Sequence, residues 1–236
     1  MAPTESTKTS QSDPNRARRL VVLVGPSGSG KTTLAQRLIQ TRRLNCAFSV
    51  SHTTRPRRPA EVHGQDYYFV TREAFEALQG ANGFAEWAEV HGNLYGTSMA
   101  ELDRHFGAGR DVLFDIDIVG AHNLWRSFGG RCRLIFVLPP SWQVLVERLV
   151  ARATETELTL RRRLRTARAE LQQVLASPAP WSCLVNDDLA VAVSRLADLI
   201  DAAEGDHDGD RSPLVTAFLD AALADPRSSD LPSTEA

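Results

Sequence analysis

Val21-Val22-Leu23-Val24-Gly25-Pro26-Ser27-Gly28-Ser29-Gly30-Lys31-Thr32-Thr33 decides how this 236-residue chain is read. An aliphatic run enters the stretch and an amphipathic segment leaves it. Gly25 to Thr32 fits G-x-x-x-x-G-K-[ST], the phosphate-binding P-loop. Glycines allow backbone angles that a Cβ penalises, so successive N–H groups turn inward around an anion. The helix that follows aims its positive dipole end at the same anion. Lys31 adds a mobile point charge, and the Thr32 hydroxyl is a natural Mg²⁺ ligand. A plain glycine-rich turn has similar spacing, but a buried strand before it and a helix after it favour the phosphate reading.

Outward from that stretch, the bulk numbers bound the rest. Hydrophobic residues make up 42% of the chain, enough for one good core with a small lid. A formal net charge of -2 calls for neither nucleic acid nor an acidic membrane surface. Cys46, Cys132 and Cys183 are far apart and form no disulfide framework or metal pattern, so a cytosolic, cytoplasmic protein with reduced thiols is expected. No apolar run approaches the ~20 residues that span a bilayer. Met1 to Asn15 is polar, lacks a secretory h-region and reads as a disordered tail.

Leu20 to Val24 suits a strand buried on both faces of a parallel sheet, and Thr33 to Thr41 a helix ending at Arg42 and Arg43. Phe48 to Pro59 starts as a strand and becomes a proline-broken loop with three arginines. Such a loop is either an anion clamp or a solvated basic turn. Glu61 to Val70 reads as a turn and an aromatic strand, and Thr71 as the cap of the next helix. Phe84 to Val90 is a strand, His91-Gly92-Asn93 a turn, and Ser98 the cap of a helix over Met99 to Phe106. Together these predict a small β-rich insert with antiparallel strands.

Asp111 to Asp117 reads as an apolar strand ending in Asp115 and Asp117, two apart and on one face if the strand runs that far. Carboxylates at that end can hold Mg²⁺ or accept hydrogen bonds; the bland alternative is a helix cap. Arg133 to Leu138 is another strand, followed by a helix over Ser141 to Val150. The segment Leu158 to Ala176 is helical, with Leu160, Leu164 and Leu171 on the packed side and several arginines elsewhere. That is either a lid for phosphoryl transfer or a charged solvent face. Cys183 to Leu189 is a short strand and turn before a helix to about Glu204. Gly205 to Asp210 resembles a calcium loop but lacks its x₅-Glu, so it reads as a linker. Leu214 to Leu223 is an apolar patch suited to a helix docked on the core or on a partner.

Four blocks in matching order now stand together: G-P-S-G-S-G-K-T-T, S-H-T-T-R-P-R-R-P-A-E-V-H-G-Q-D-Y-Y-F, E-W-A-E-V-H-G-N-L-Y-G-T-S and R-A-T-E-T-E…R-R-R-L…A-E-L, with F-D-I-D and V-N-D-D-L. The combination resembles the guanylate kinase family of nucleoside monophosphate kinases, over roughly Arg19 to Glu204. The resemblance implies an α/β P-loop NTPase three-layer fold with a parallel sheet core, a small β-rich GMP-binding lobe and a helical lid. The division it implies is a tail at 1–18, a core of 19–50, 99–147 and 177–204, a GMP lobe at 51–98, a lid at 148–176, and an acidic extension at 205–236.

Residue by residue, the resemblance implies that Gly25, Pro26, Ser27, Gly28, Ser29, Gly30, Lys31, Thr32 and Thr33 hold the ATP phosphates. Asn186 is placed at the adenine end, and Thr32 with Asp115 near Mg²⁺. Ser51, Arg55, Arg58 and Tyr67 are implied to clamp the GMP phosphate, with Tyr95 a further contact. Glu86, Thr97 and Asp117 are implied to read guanine, with Asp115 close to the acceptor. Lys31, Arg152 and Arg163 are the implied catalytic set. The implied reaction takes a phosphoryl group from ATP to GMP or dGMP, with Mg²⁺, and with no nucleic-acid or membrane partner. The chemistry agrees: a carboxylate such as Glu86 accepts from guanine N1–H and the exocyclic amine, a donor pair adenine lacks.

The sequence departs from the family pattern at Val119, where a glutamine is usual, and at Ala153 and Ala60, where glycines are usual. Those alanines stiffen a hinge and a turn. Two alternatives have their own marks. A kinase forming ribose 1,5-bisphosphate shares the P-loop but lacks the combined Arg55/Arg58/Tyr67 and Glu86/Tyr95/Thr97 sets. A guanylate-kinase-like binding or regulatory module keeps the GMP-site shape but not a working Gly30-Lys31-Thr32.

Overall fold

Leu20–Val24 forms β1, buried at every position. A five-residue aliphatic run takes this form where both faces of a sheet are covered. The computed structural model describes residues 17–41, 44–90, 92–151, 156–202 and 212–229. Parallel neighbours flank β1: β7 (Asp111–Asp115) on one side and β8 (Cys132–Leu138) on the other. β2 (Cys46–Phe48) lies outside β7, and β9 (Trp181–Val185) outside β8. The five-stranded order is therefore β2-β7-β1-β8-β9. β1 sits at the centre, where successive connections leave to opposite sides, and its carboxyl end opens into the crevice where such sheets bind ligands.

The two-residue period of β1 divides the core. Leu20, Val22 and Val24 face one cluster, with Phe114 and Phe136. Val21 and Leu23 face the other, with Leu34, Leu38, Leu196 and Ile200. The second face is covered by α1 (Lys31–Thr41) and α7 (Leu189–Asp201). The first is covered by α3 (Met99–Gly107), α4 (Ile118–Phe128), α5 (Trp142–Val150), α6 (Glu157–Ala176) and α8 (Ser212–Ala224). The result is the expected three-layer α/β fold. Caps fix several helix starts: Ser98, Asp117, Ser141, Thr156 and Asp188 each accept a backbone N–H three residues on.

A second sheet is inserted between β2 and α3. It contains β3 (His52–Thr53), β4 (Tyr68–Phe69), β5 (Phe84–Val90) and β6 (Asn93–Ser98), in the order β4-β3-β6-β5. The expected antiparallel pairing holds for β3 with β6 and β5 with β6, but β3 and β4 run parallel. The aromatic segment up to Val70 gives only the two-residue β4, because Val62 to Asp66 folds into a turn closed by the Asp66 carboxylate on the Val62 N–H (2.7 Å). The helix α2 (Arg72–Gly80) is capped by Thr71, as expected, and buries Phe75 against Phe84, with ring centroids 4.3 Å apart.

Two further expectations are corrected. β7 stops at Asp115, so Asp115 and Asp117 do not share a strand face. The Asp117 side chain instead accepts the Gly120 N–H at 2.8 Å and starts α4, because a cap leaves the strand as soon as its side chain claims that donor. Helix α1 begins at Lys31, two residues earlier than expected. The apolar patch near the C-terminus forms α8 and docks on the core through Val215, Phe218 and Ala222.

Candidate active site

The P-loop follows directly from β1. Gly30 has φ +90°, and a Cβ there would run into the Asn186 amide. That amide is committed: Asn186 Nδ2 donates to the Ser29 carbonyl at 2.8 Å. Its backbone carbonyl accepts from Arg148 at 3.1 Å. Asn186 therefore supports the loop from behind, and it is buried. Gly25 has φ +143°, with the Val137 carbonyl where a Cβ would stand. Larger residues fit neither position.

At the start of α1, Lys31 Nζ donates to the Gly25 carbonyl (2.7 Å) and lies 3.8 Å from Asp115 Oδ1. The Thr32 hydroxyl donates to Asp115 Oδ2 at 2.7 Å. Among the described residues, no group of three or more His, Cys, Asp and Glu is arranged to hold a metal ion. Mg²⁺ asks for less, because phosphate and water supply most of its six oxygens. Thr32 Oγ1 and Asp115 Oδ2 are adjacent hard oxygens beside the phosphate loop, so the residues present fit such an ion.

A cavity of about 540 Å³ joins this loop to the inserted sheet. The loop side is formed by Gly25, Ser27, Gly28, Gly30, Lys31 and Thr32. The opposite wall includes Ser51, Tyr67, Glu86 and Tyr95, and Asp115 and Asp117 lie between. So the structure brings most of the residues singled out from sequence to one space. The alternation of β5 turns Glu86 inward while Trp87 faces solvent. Glu86 is only 6% exposed, and Oε1 accepts the Thr97 N–H at 3.0 Å. Burial pushes its carboxyl up to about 7, the Thr97 hydrogen bonds oppose that, and Asp117 adds to it. Ser51 and Thr97 hydroxyls are 3.2 Å apart.

The arginine loop is arranged differently from expectation. Arg55 makes a two-pronged pair with Glu61, at 2.7 and 3.1 Å, and lies 5.5 Å from the Tyr67 ring centre. Its fork is therefore occupied, and hydrogen bonds to Glu61 hold the Glu61 carboxyl below its ordinary value. Arg58 gives its backbone N–H to Glu61 (2.8 Å), and its side chain is exposed. Neither arginine lines the cavity. Burial raises the Tyr67 hydroxyl.

From the other side, α6 reaches the loop. Arg163 Nη1 donates to Ser27 Oγ at 2.8 Å. Leu164 and Leu171 are buried as expected, and Ala167 and Val174 complete the stripe, while Leu160 is half-buried. This half of α6 belongs to the core. Arg152 and Ala153 lie outside the described residues, as do Arg42, Arg43, His91 and the 205–210 segment.

A family model described as guanylate kinase matches residues 17–203. The chain belongs to the guanylate kinase family. A guanylate kinase of Oleidesulfovibrio alaskensis is 49% identical over 183 residues, 77% of this chain and 85% of that one. One from Nocardia farcinica is 46% identical over 186 residues, 78% of this chain and 94% of the other. A crystal structure of guanylate kinase from Anaplasma phagocytophilum superposes with a TM-score of 0.60 at 30% identity, covering 86% of this chain and 96% of that one. Guanylate kinase membership makes the chain a nucleoside monophosphate kinase, a phosphotransferase, and implies ATP as co-substrate with Mg²⁺. Among the described residues, no helix is long and apolar enough to cross a membrane.

Sequence reasoning assigned no role to two residues that the structure places at the cavity or beside it. Glu61 occupies the Arg55 fork, and its position six residues on in the same loop was the available signal. Glu170 lines the cavity from α6, seven residues after Arg163 and so on the same side of the helix.

Proposed function

We propose that the chain transfers the terminal phosphoryl group of ATP to GMP or dGMP, giving ADP and the nucleoside diphosphate. The observation that carries this reading is a cavity with the phosphate loop at one end and the buried Glu86 carboxyl at the other. Residues 25–33 hold the ATP phosphates through backbone N–H groups and the α1 dipole. Lys31 leaves the Gly25 carbonyl for the phosphate oxygens and follows the transferred group. Thr32 and Asp115 would hold Mg²⁺, which would supply charge neutralisation on the phosphates.

On the acceptor wall, ionised Glu86 receives guanine N1–H and the exocyclic amine, with Thr97 and Asp117 beside it. Ser51, Tyr67 and Tyr95 face the GMP phosphate, and Arg55 and Arg58 swing onto it as the inserted sheet closes. Arg55 then exchanges Glu61 for phosphate, an exchange between two bidentate partners of similar geometry. A GMP phosphate oxygen attacks the terminal phosphorus and ADP leaves, with no general base required. Arg163, and Arg152 with it, stabilise the charge in transit. The proposed working division is a core of 19–50, 99–147 and 177–204 with a GMP lobe of 51–98. The lid is drawn more narrowly than 148–176, because Leu164 to Val174 packs in the core.

The sugar-phosphate alternative is not favoured, since the matching family model and the relatives are guanylate kinases. An assay coupled to ADP release tests the proposal. Purified protein with Mg·ATP turns over GMP and dGMP and hardly acts on AMP, CMP, UMP or ribose 1-phosphate. Activity on the sugar phosphate without activity on GMP sinks it.

A further inference from the structure

The cavity side chains include Lys31 against four carboxylates: Glu86, Asp115, Asp117 and Glu170. Three carboxylates have partners within the fold. Glu86 accepts the Thr97 N–H, Asp115 the Thr32 hydroxyl and Asp117 the Gly120 N–H. Glu170 differs. Its Oε2 is buried and has no hydrogen-bond partner. Buried side-chain oxygens are paired in the large majority of folded proteins, so an orphan beside a reacting centre calls for an occupant.

Helix α6 explains why Glu170 is there. Arg163 and Glu170 are two turns apart, on the edge beside the buried stripe of Leu164, Ala167, Leu171 and Val174. Arg163 reaches the crown of the phosphate loop at Ser27, and Glu170 faces the cavity below it. Burial pushes the Glu170 carboxyl up to about 7. The Lys31 charge opposes that shift, and the like charges of Asp117 and Asp115 add to it. Lys31 has room for another partner. It makes one short bond, to Gly25 O, while Pro26 O is at 3.5 Å and Asp115 Oδ1 at 3.8 Å. An ammonium group carries three donors.

We propose that Glu170 is a positioning residue for Lys31, its carboxylate holding the ammonium from the α6 side while the lysine follows the transferred phosphoryl group. A bare carboxylate facing phosphates repels them, and a cation between the two removes that repulsion. Among the described residues that line the cavity, Lys31 is the cation. The inference rests on the reading of this cavity as the phosphoryl-transfer site.

Glu170→Gln keeps the shape and removes the charge. It lowers kcat roughly 10- to 100-fold and leaves KM for ATP and GMP within about 3-fold, the pattern of an interaction lost in the transition state. Its Tm equals or exceeds that of the unaltered protein, because a desolvated carboxylate has gone. Glu170→Asp retains the charge and recovers at least part of the rate. In a Lys31→Arg background, Glu170→Gln costs less than about 3-fold, since coupled residues are not additive. A kcat within 2-fold for Glu170→Gln, or an equal loss in both backgrounds, overturns the proposal. Should the Gln variant fail to fold, an Asp variant that folds but has lost 100-fold in kcat also overturns it. The cycle is run with whichever acceptor the unaltered protein phosphorylates. Failure on GMP then counts against the proposed function, and additivity counts against the Glu170 role.

Discussion

Glu86 links the acceptor site to pH. In the ligand-free protein its carboxyl stands at about 7, because burial disfavours the charge more than the Thr97 hydrogen bonds favour it. In the proposed pose guanine gives two donors to Glu86, so the bound state needs the ionised form. The free protein is about ten-elevenths ionised at pH 8 and about one-eleventh at pH 6. The apparent Kd for GMP therefore rises about 10-fold from pH 8 to pH 6. Titration of the phosphate, with a second pKa near 6, adds about 2-fold to this. Isothermal titration at pH 6, 7 and 8, in buffers of different ionisation enthalpy, reads both the affinity and the protons released. About half a proton per site leaves Glu86 at pH 7.

Glu86→Gln removes the 10-fold component, keeps the 2-fold one, and binds GMP more weakly throughout through loss of charge-assisted bonds. The same shift fixes the sign of the stability effect. An acid raised in the folded state costs nothing below its unfolded value, and its cost grows as pH rises from about 4.5 to about 7. Glu86→Gln thus stabilises the ligand-free protein at pH 8 by up to about 3 kcal/mol and has no such effect at pH 4. Identical pH profiles for the two proteins, with no proton released by the unaltered one, refute the reasoning.

Two other perturbations follow from the same structure. Gly30→Ala forces a side chain into a positive-φ position and into the Asn186 amide, costing about 1–3 kcal/mol. Thermal melts fall by several degrees, and KM for ATP rises more than KM for GMP; a normal melt with normal ATP kinetics contradicts the loop geometry. Asp225 accepts from Trp142 Nε1 (2.9 Å) and from the Arg227 guanidinium, and those bonds, Arg227 first, hold its carboxyl at about 2. Because that value is depressed, its stabilisation is present above about pH 4 and fades as pH falls toward 2. With Arg227 partly exposed, Asp225→Asn costs about 1–2 kcal/mol at pH 7 by urea denaturation, and the gap from the unaltered protein closes in acid.

What the sequence made legible follows the range of the interactions. The β1–loop–α1 unit is local: strand run, glycines and lysine lie within one short stretch, and the structure follows the pattern there. Glu86 came from the resemblance alone, and the structure adds the reason for its burial, the alternation of β5 that sets it opposite the exposed Trp87. At Asp117 two local devices competed, and the helix-cap alternative that the sequence left open is the one the structure adopts. Continuing β7 required its backbone, while the cap of α4 required its side chain, and the cap prevailed.

The contacts that pattern reading could not supply are long in sequence. Asn186 joins Ser29 across 157 residues, and Arg163 joins Ser27 across 136. Asn186 shows what that changes. The resemblance placed it beside the adenine end of ATP, yet its amide is engaged in holding the phosphate loop, and Gly30 has to be glycine because that amide is there. Through its own carbonyl it also holds Arg148 on α5, the helix that leads toward the arginine-bearing segment. One residue after β9 therefore ties the phosphate loop to α5. Loss of the Asn186 side chain removes the bond to Ser29 that braces the phosphate loop, while Arg148 keeps the backbone carbonyl as its partner.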